Sequence, residues 1–461
     1  MFLWYNSLGM RILAIESSCD DTAVAVVEGT RPKASLRERL KVLVSLVASQ
    51  EKLHAEFGGV VPEVASRQHL EAIYPLIELA LRKTGLAPKQ IDAIAVTTDP
   101  GLLGSLLVGV NAAKTLGYLW DKPVISVNHL LGHIYAGWLG DEKIEYPLVS
   151  LVTSGGHSEI VLTRSDGEYK YVGGTRDDAA GEAFDKVARI LGLGYPGGPA
   201  IAAEAAKLKV KSEKLKTKEG EVRLPRPMMD EDNFDFSFSG LKTAIAAAAA
   251  NIQYPITNNQ TILNHQAPST KAGERVRLPR PMMDEDNFDF SFSGLKTATA
   301  AVAANIQYPI TNNQAITKKR IAEIAWEFQE AVVEVLVVKL LKAAKKYKAK
   351  TIIIGGGVSA NRRLREEVQR RANELGLKIV IPEFKYCTDN AAMIGAAAYF
   401  TMREERGVSS PHRRLAKPIL ANARTSRLLP TPPVGKQTLT TLPPSFEQEK
   451  YRWYNANVIT D

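Results

Sequence analysis

Cysteine is nearly missing from this chain: among 461 residues there are only Cys19 and Cys387, far apart in sequence. Two such thiols make neither a disulfide framework nor a cysteine metal site, and the usage fits a reducing cytoplasm. Long apolar runs are missing as well. No stretch approaches the roughly 20 uninterrupted apolar residues of a membrane span, so no membrane association is expected. The opening MFLWYNSLG has no basic n-region and no cleavage site, and no secretory signal is read there. Nor does one charge sign dominate. A net charge of +9 with 45% hydrophobic residues excludes disorder throughout, and the length predicts two or three domains.

The basic excess is concentrated at one end. From residue 401 onward ten Lys/Arg stand against five acids, so +5 of the +9 lies there, among seven prolines and without helical or strand period. Residues 404–461 therefore read as a basic, Pro-rich, largely disordered tail. Such a tail can attract nucleic acid, although a solvated extension is the plainer reading.

What the chain has in excess is a repeat. Val222–Gln260 recurs as Val276–Gln314, 54 residues later, with only Ile245/Thr299 and Ala248/Val302 different. Two near-identical copies do not make a solenoid. They read as a tandem duplication of which the fold uses one copy. The second is favoured, because it leads directly into the helix expected at Thr317–Tyr347. Met10, opening MRILAIESSCDDTAVAVV, reads as a more natural start than Met1, with 1–9 as an extension.

Strands and helices alternate elsewhere. Strands are expected at Arg11–Ile15, Thr22–Val27, Ile91–Thr97, Pro123–Val127, Leu148–Thr153, Glu159–Thr163, Thr351–Ile354 and Lys378–Ile381. Helices are expected at Gln68–Thr84, Gly101–Leu119, His129–Leu139, Thr317–Tyr347, Ala360–Leu375 and Asn390–Phe400. Two hairpins set in a β/α alternation predict an α/β fold of two mixed-sheet halves.

Several motifs could carry chemistry. His129-Leu-Leu-Gly-His133 puts two imidazoles at i and i+4 on one helix face, where both reach one metal ion. A zinc protease would carry Glu directly after the first His, and Leu130 stands there. Two helical histidines without a metal remain the alternative. Asp389 in Thr388-Asp389-Asn390 offers a third ligand, or a plain helix N-cap. Three glycine turns, Ser154-Gly155-Gly156-His157, Gly197-Gly198-Pro199 and Gly355-Gly356-Gly357, are read as following strands, where backbone N–H groups can meet a phosphate. None matches the Walker or Rossmann pattern. Asp185, in a helix begun by Asp177 and Asp178, is a candidate for a ribose or an amine, or lies on a solvated face.

Taken together, the motifs resemble one family. ESSCDDT, GGVVPEVASR, HLLGH, SGGHS, DDAAGEAFDKVARILGLGYPGGP, FSFSGLKTA, GGGVSANRRLR and CTDNAAMIG stand in the order of the bacterial TsaD (Gcp) tRNA N6-adenosine threonylcarbamoyltransferases, from about Met10 to about Arg403. The resemblance implies an actin-like, sugar-kinase-like (ASKHA) two-domain α/β fold. Residues 10–125 with 385–403 would form one subdomain, and 126–384, containing the repeats 222–260 and 276–314, the other. It implies transfer of threonylcarbamoyl from threonylcarbamoyl-AMP to N6 of adenosine 37 in tRNAs reading ANN codons, without a nucleophilic Ser or Cys. His129, His133 and Asp389 would hold one divalent metal, Fe(2+) first and Zn(2+) otherwise. Val152, Thr153, Ser154, Gly155 and Gly156 would line the phosphate and acyl side of the adenylate, with Asp185, Gly198 and Asn361 at its ribose and adenine. Implied partners are tRNA, a TsaB-like paralogue and a TsaE-like ATPase. The competing readings are a metalloprotease-type or ATP-hydrolysing actin-like enzyme, and an inactive partner-binding paralogue. The last would be expected to lose the three metal ligands, and this chain keeps them.

Overall fold

The computed structural model describes residues 9–30, 39–208, 224–238, 241, 244–245, 318–407 and 458–460. They contain two mixed sheets. The first is built from β1 (Met10–Glu16), β2 (Asp21–Thr30), β3 (Arg39–Ser49), β4 (Ala93–Asp99) and β5 (Val124–Asn128). Strands β1 to β3 form an antiparallel meander, and β4 and β5 continue parallel to β1 on its other side. The second sheet uses β6 (Leu148–Thr153), β7 (Ser158–Ser165), β8 (Glu168–Gly174), β9 (Thr351–Gly355) and β10 (Lys378–Val380) in the same plan. There β6 to β8 form the meander, and β9 and β10 run parallel to β6. One topology thus occurs twice, which is the two-half α/β architecture expected from the alternation.

The central strands β1, β2 and β4 are buried on both sides, so β1 reads as a continuous apolar run rather than an alternation. Leu13 and Ile15 face α2 (Pro62–Thr84) and α3 (Leu103–Trp120), whose Leu76, Ile77 and Ala113 complete that layer. Ile12 and Ala14 face the opposite way, onto Ala391–Phe400. These residues belong to the terminal helix Ala391–Gly407, numbered α9 below. Alanines at 14, 23, 25, 93 and 95 make this face shallow, which lets an alanine-rich helix lie close.

The remaining helices are α1 (Glu51–Phe57), α4 (His129–Tyr135), α5 (Ala180–Ile190), α6 (Gly197–Ala205), α7 (Lys318–Lys346) and α8 (Arg362–Glu374), with α9 last. Two expected helices are shorter than their patterns. His129–Leu139 becomes α4 plus a 3-10 turn, and Ala360–Leu375 becomes the 3-10 turn Gly357–Ala360 followed by α8. Of the tail, α9 extends to Gly407, and Val458–Thr460 form a short strand, β11, antiparallel to β3.

The expectation that the second repeat fills the native slot is corrected here: the first copy fills it. Phe236 and Phe238 are fully buried, Phe234 nearly so, and Leu241 and Ile245 go in with them. The segment is pinned by polar contacts. The Gly174 N–H donates to Asp235 Oδ1 (3.1 Å), the Phe238 N–H to Asp177 Oδ1 (2.8 Å), and the buried Lys339 ammonium to Asn233 O (2.9 Å). Every residue making these contacts is the same in both copies, so they do not choose between them. Ile245 does, because Thr299 in its place would bury a hydroxyl, at a cost of about 1–3 kcal/mol if unpaired. The second copy, 276–314, lies outside the described residues, as do 1–8. Residues 234–238 form no regular strand, and Phe236 makes a single bridge with Thr175.

Candidate functional site

Strand β5 ends at Asn128, whose side-chain carbonyl accepts from the Leu130 and Leu131 N–H groups at 3.0 and 3.2 Å and so starts α4 at His129. The i, i+4 spacing then brings His129 and His133 to one side, ring centroids 4.7 Å apart. Gly132 lies against α9: a Cβ there would stand 2.8 Å from Ile394 Cδ1, so the two helices approach closely at this glycine. That closeness brings in Asp389, just before α9. Its Oδ1 is 3.4 Å from His129 Nε2 and 3.3 Å from His133 Nε2. Asn390 is the cap of α9, accepting from the Met393 N–H at 2.9 Å, which leaves Asp389 free to turn toward the histidines.

Ligand atoms of His129, His133 and Asp389 lie within 4.8 Å of one another. His133 is fully buried, and neither of its ring nitrogens has a hydrogen-bond partner; the Asp389 contact is close but not aligned as a hydrogen bond. A buried imidazole without partners is costly. A metal ion between the three side chains satisfies it, so the residues fit one. Leu130, where a protease would carry its base, is instead buried with Ile134 and Val152.

The sequence did not single out Glu16. This fully buried carboxylate, at the end of β1, accepts from Thr97 Oγ1 (2.6 Å) and the Ser18 N–H (2.6 Å) and lies 3.0 Å from His129 Nδ1. A proton on Nδ1 donated to Glu16 leaves the Nε2 lone pair facing Asp389, the tautomer a metal requires. Burial opposes charge on His129, but the Asp389 and Glu16 carboxylates outweigh it and hold its pKa well above the ordinary value. Burial dominates at His133 and lowers its pKa. At Asp389 burial is outweighed by His129, and the carboxyl stands below its usual range.

At the carboxyl ends of β6 and β9 the chain is different in kind. Val152 and Thr153 are buried at the end of β6, and Ser154 closes the turn by accepting from the His157 N–H at its Oγ (3.1 Å). Gly155, Gly156, Gly198 and Gly357 have no atom within 4 Å of where a Cβ would stand, so the place of a side chain is open at each. Gly356, at φ +85°, rests so closely on Thr153 O that no side chain fits. A Cβ on Gly355 would stand 2.5 Å from His133 O, which puts this glycine turn directly against the helix of the histidines. The hydroxyls of Thr153 and Ser359 are buried without partners. Asp185 on α5 accepts from the Gly197 N–H at 2.7 Å, and burial raises its pKa. Asn361 caps α8 and donates through Nδ2 to Gln329 Oε1 at 2.9 Å.

Two readings of these turns are corrected. Gly197-Gly198-Pro199 follows no strand but opens α6, and Asp177 and Asp178 precede α5 rather than lying in its first turn. Asp177 accepts from the Phe238 N–H and so anchors the repeat segment.

A crevice at the carboxyl ends of parallel strands, where successive connections diverge, is where open α/β sheets bind ligands. The family model described as "TsaD: tRNA N6-adenosine threonylcarbamoyltransferase" matches residues 41–272 and again 258–396, the two matches overlapping at 258–272. A protein of that name from Syntrophomonas wolfei is 42% identical over 84% of this chain and 91% of its own length. Another, from Thermomicrobium roseum, is 43% identical over 87% and 93%, and one from Kosmotoga olearia 41% identical over 89% and 99%. The chain belongs to the TsaD family, the tRNA N6-adenosine threonylcarbamoyltransferases.

Proposed function

We propose that this chain transfers the threonylcarbamoyl group of threonylcarbamoyl-AMP to N6 of adenosine 37 in tRNAs reading ANN codons. The observation that carries the reading is the His129, His133 and Asp389 cluster set against the Gly355–Gly357 turn, in a chain of this family. In the reaction the N6 amine attacks the carbamoyl carbon, a C–N bond forms, the C–O bond to the AMP phosphate breaks, and the amine proton is lost. Adenine N6 is a weak nucleophile, so the work lies in holding the adenylate and stabilising charge on its oxygens.

Gly155 and Gly156, where a Cβ would meet nothing within 4 Å, would turn backbone N–H groups to the phosphate and acyl oxygens, beside Val152, Thr153 and Ser154. Asp185 has one oxygen on Gly197 and the other available to a ribose hydroxyl, and Gly198 and Asn361 border the adenine. A divalent ion held by His129, His133 and Asp389, Fe(2+) rather than Zn(2+), supplies Lewis acidity toward those oxygens when bound. Glu16 fixes the His129 tautomer. No serine or cysteine nucleophile is used; Cys387 is buried, and burial raises the Cys19 thiol pKa.

Turnover uses a TsaB-like paralogue and a TsaE-like ATPase, in the cytoplasm. The exposed Leu70 and Tyr74, one turn apart on α2, are the kind of surface a helical partner covers. Among the described residues no helix is long and apolar enough to cross a membrane. The test is nucleoside analysis of tRNA from a strain lacking its own enzyme and complemented with this chain. Restored threonylcarbamoyladenosine supports the reading, and an unmodified adenosine 37 beside well-expressed protein overturns it. Repeated turnover by the purified chain with only adenylate and tRNA would remove the partners.

A further inference from the structure

Arg365 lies outside the groups assigned above, yet its guanidinium reaches both sides of the site. From the first turn of α8 its Nε donates to Ser359 O at 2.7 Å, in the turn that follows Gly355 and Gly356. Its Nη2 donates to Pro382 O at 2.9 Å and to Cys387 Sγ at 2.7 Å. Its plane lies over the Phe384 ring, 4.0 Å from the centroid. Residues 382–387 lead without any regular element but a single 3-10 turn, Phe384–Tyr386, straight into Asp389. Within that segment the Cys387 thiol reaches Glu383 O at 3.4 Å and Pro382 O at 3.7 Å, the Cys387 N–H donates to Phe384 O and the Tyr386 N–H to Glu383 O, and Tyr386 packs into the core.

We infer that Arg365 is a positioning residue that locks the Asp389 segment to the glycine turn, so that the metal ligand and the adenylate-binding backbone keep one spacing. The chemistry asks for arginine. Two carbonyls, a sulfur and an aromatic face are met at once by a planar fork, and a lysine ammonium is a point donor that reaches one of them. Most other basic residues of α8 do something else: Arg363, Arg370 and Arg371 pair with Glu330, Glu367 or Glu374. The inference rests on the metal-site reading, and the experiment separates the two.

The full chain is loaded with Zn(2+), and its metal affinity is measured by chelator competition for wild type, Arg365→Lys and Arg363→Lys, with thermal unfolding recorded for each. Arg363→Lys disturbs α8 packing without touching residues 382–387. The expected result is a loss of about 10–100-fold in Zn(2+) affinity for Arg365→Lys, the range for groups that orient a ligand. Arg363→Lys should stay within about twofold of wild type. Equal affinity in wild type and Arg365→Lys overturns the inference and leaves the metal site standing. An equal loss in Arg363→Lys also overturns it, since general destabilisation of α8 would then explain both. A wild-type chain that retains no Zn(2+) overturns the metal site and the inference with it. Should Arg365→Lys not fold, Phe384→Leu, which removes only the stacked face, is expected to weaken binding in the same direction, and unchanged affinity there counts against the lock.

Discussion

The two sheets have the same strand order, yet their carboxyl ends are chemically opposite. At the ends of β1 and β5 the chain places Glu16 and, one residue on, His129: buried side chains that hold charge. At the ends of β6 and β9 it places glycines: Gly155, Gly156 and Gly357, with open space where a Cβ would stand, and Gly355 and Gly356, packed on His133 and Thr153. One topology therefore makes two sets of strand ends, and residue choice there decides what each can hold. Side chains suit a cation, and bare N–H groups suit an anion. The two meet where Gly355 lies on His133.

That contrast can be broken from either side. The largest effect is expected from His133→Ala, which should lose metal retention by well over the about 100-fold limit of outer groups. Its fold should survive, because an unpartnered buried imidazole leaves with it; metal analysis after gel filtration and a thermal melt check both parts. Next comes the support of the glycine side. Phe236→Ala should cost about 3–5 kcal/mol in denaturant unfolding, and Phe290→Ala, the same change in the other repeat, should cost almost nothing. Equal costs would show that both copies pack.

A pH effect follows on the same side. Burial raises the Glu159 carboxyl on β7 from 4.5 to about 7. Between these values the folded chain keeps a proton that the unfolded chain has lost. Stability should therefore fall as the pH rises from about 4.5 to 7 and level off above, by at most about 3 kcal/mol. Glu159→Gln should flatten that part of the profile, and unchanged slopes in the two proteins would contradict the assignment. The smallest change is Glu16→Gln, which keeps an acceptor for Thr97 but not the charge beside His129. Metal affinity should drop about 10–100-fold with the melting temperature nearly kept.

Much of this was legible in the chain itself. The i, i+4 histidines and the β/α alternation gave the first half of the metal cluster and the two-sheet plan. Asp389 needed the family resemblance, since an Asp before a helix reads equally as a cap. Glu16 was hidden because a Glu ending an apolar strand looks like the strand's polar end, and its partner His129 is 113 residues away. Strands β3 and β8 were not expected, and β8 escaped notice because its first half is mostly exposed and polar. The choice between repeats turned on one buried methyl-bearing side chain, Ile245, against the weight given to connection with α7.

The division of labour between the two sets of strand ends is the central claim, and one paired measurement tests it most directly. Metal content and binding of a non-hydrolysable threonylcarbamoyl-AMP analogue are measured together for His133→Ala and for Asp185→Asn. The account predicts that His133→Ala loses the metal, whereas Asp185→Asn keeps its metal and binds the analogue at least about tenfold more weakly, as expected when a hydrogen bond from a charged group is lost. Loss of metal in Asp185→Asn, or analogue binding there as tight as in the wild type, would contradict it.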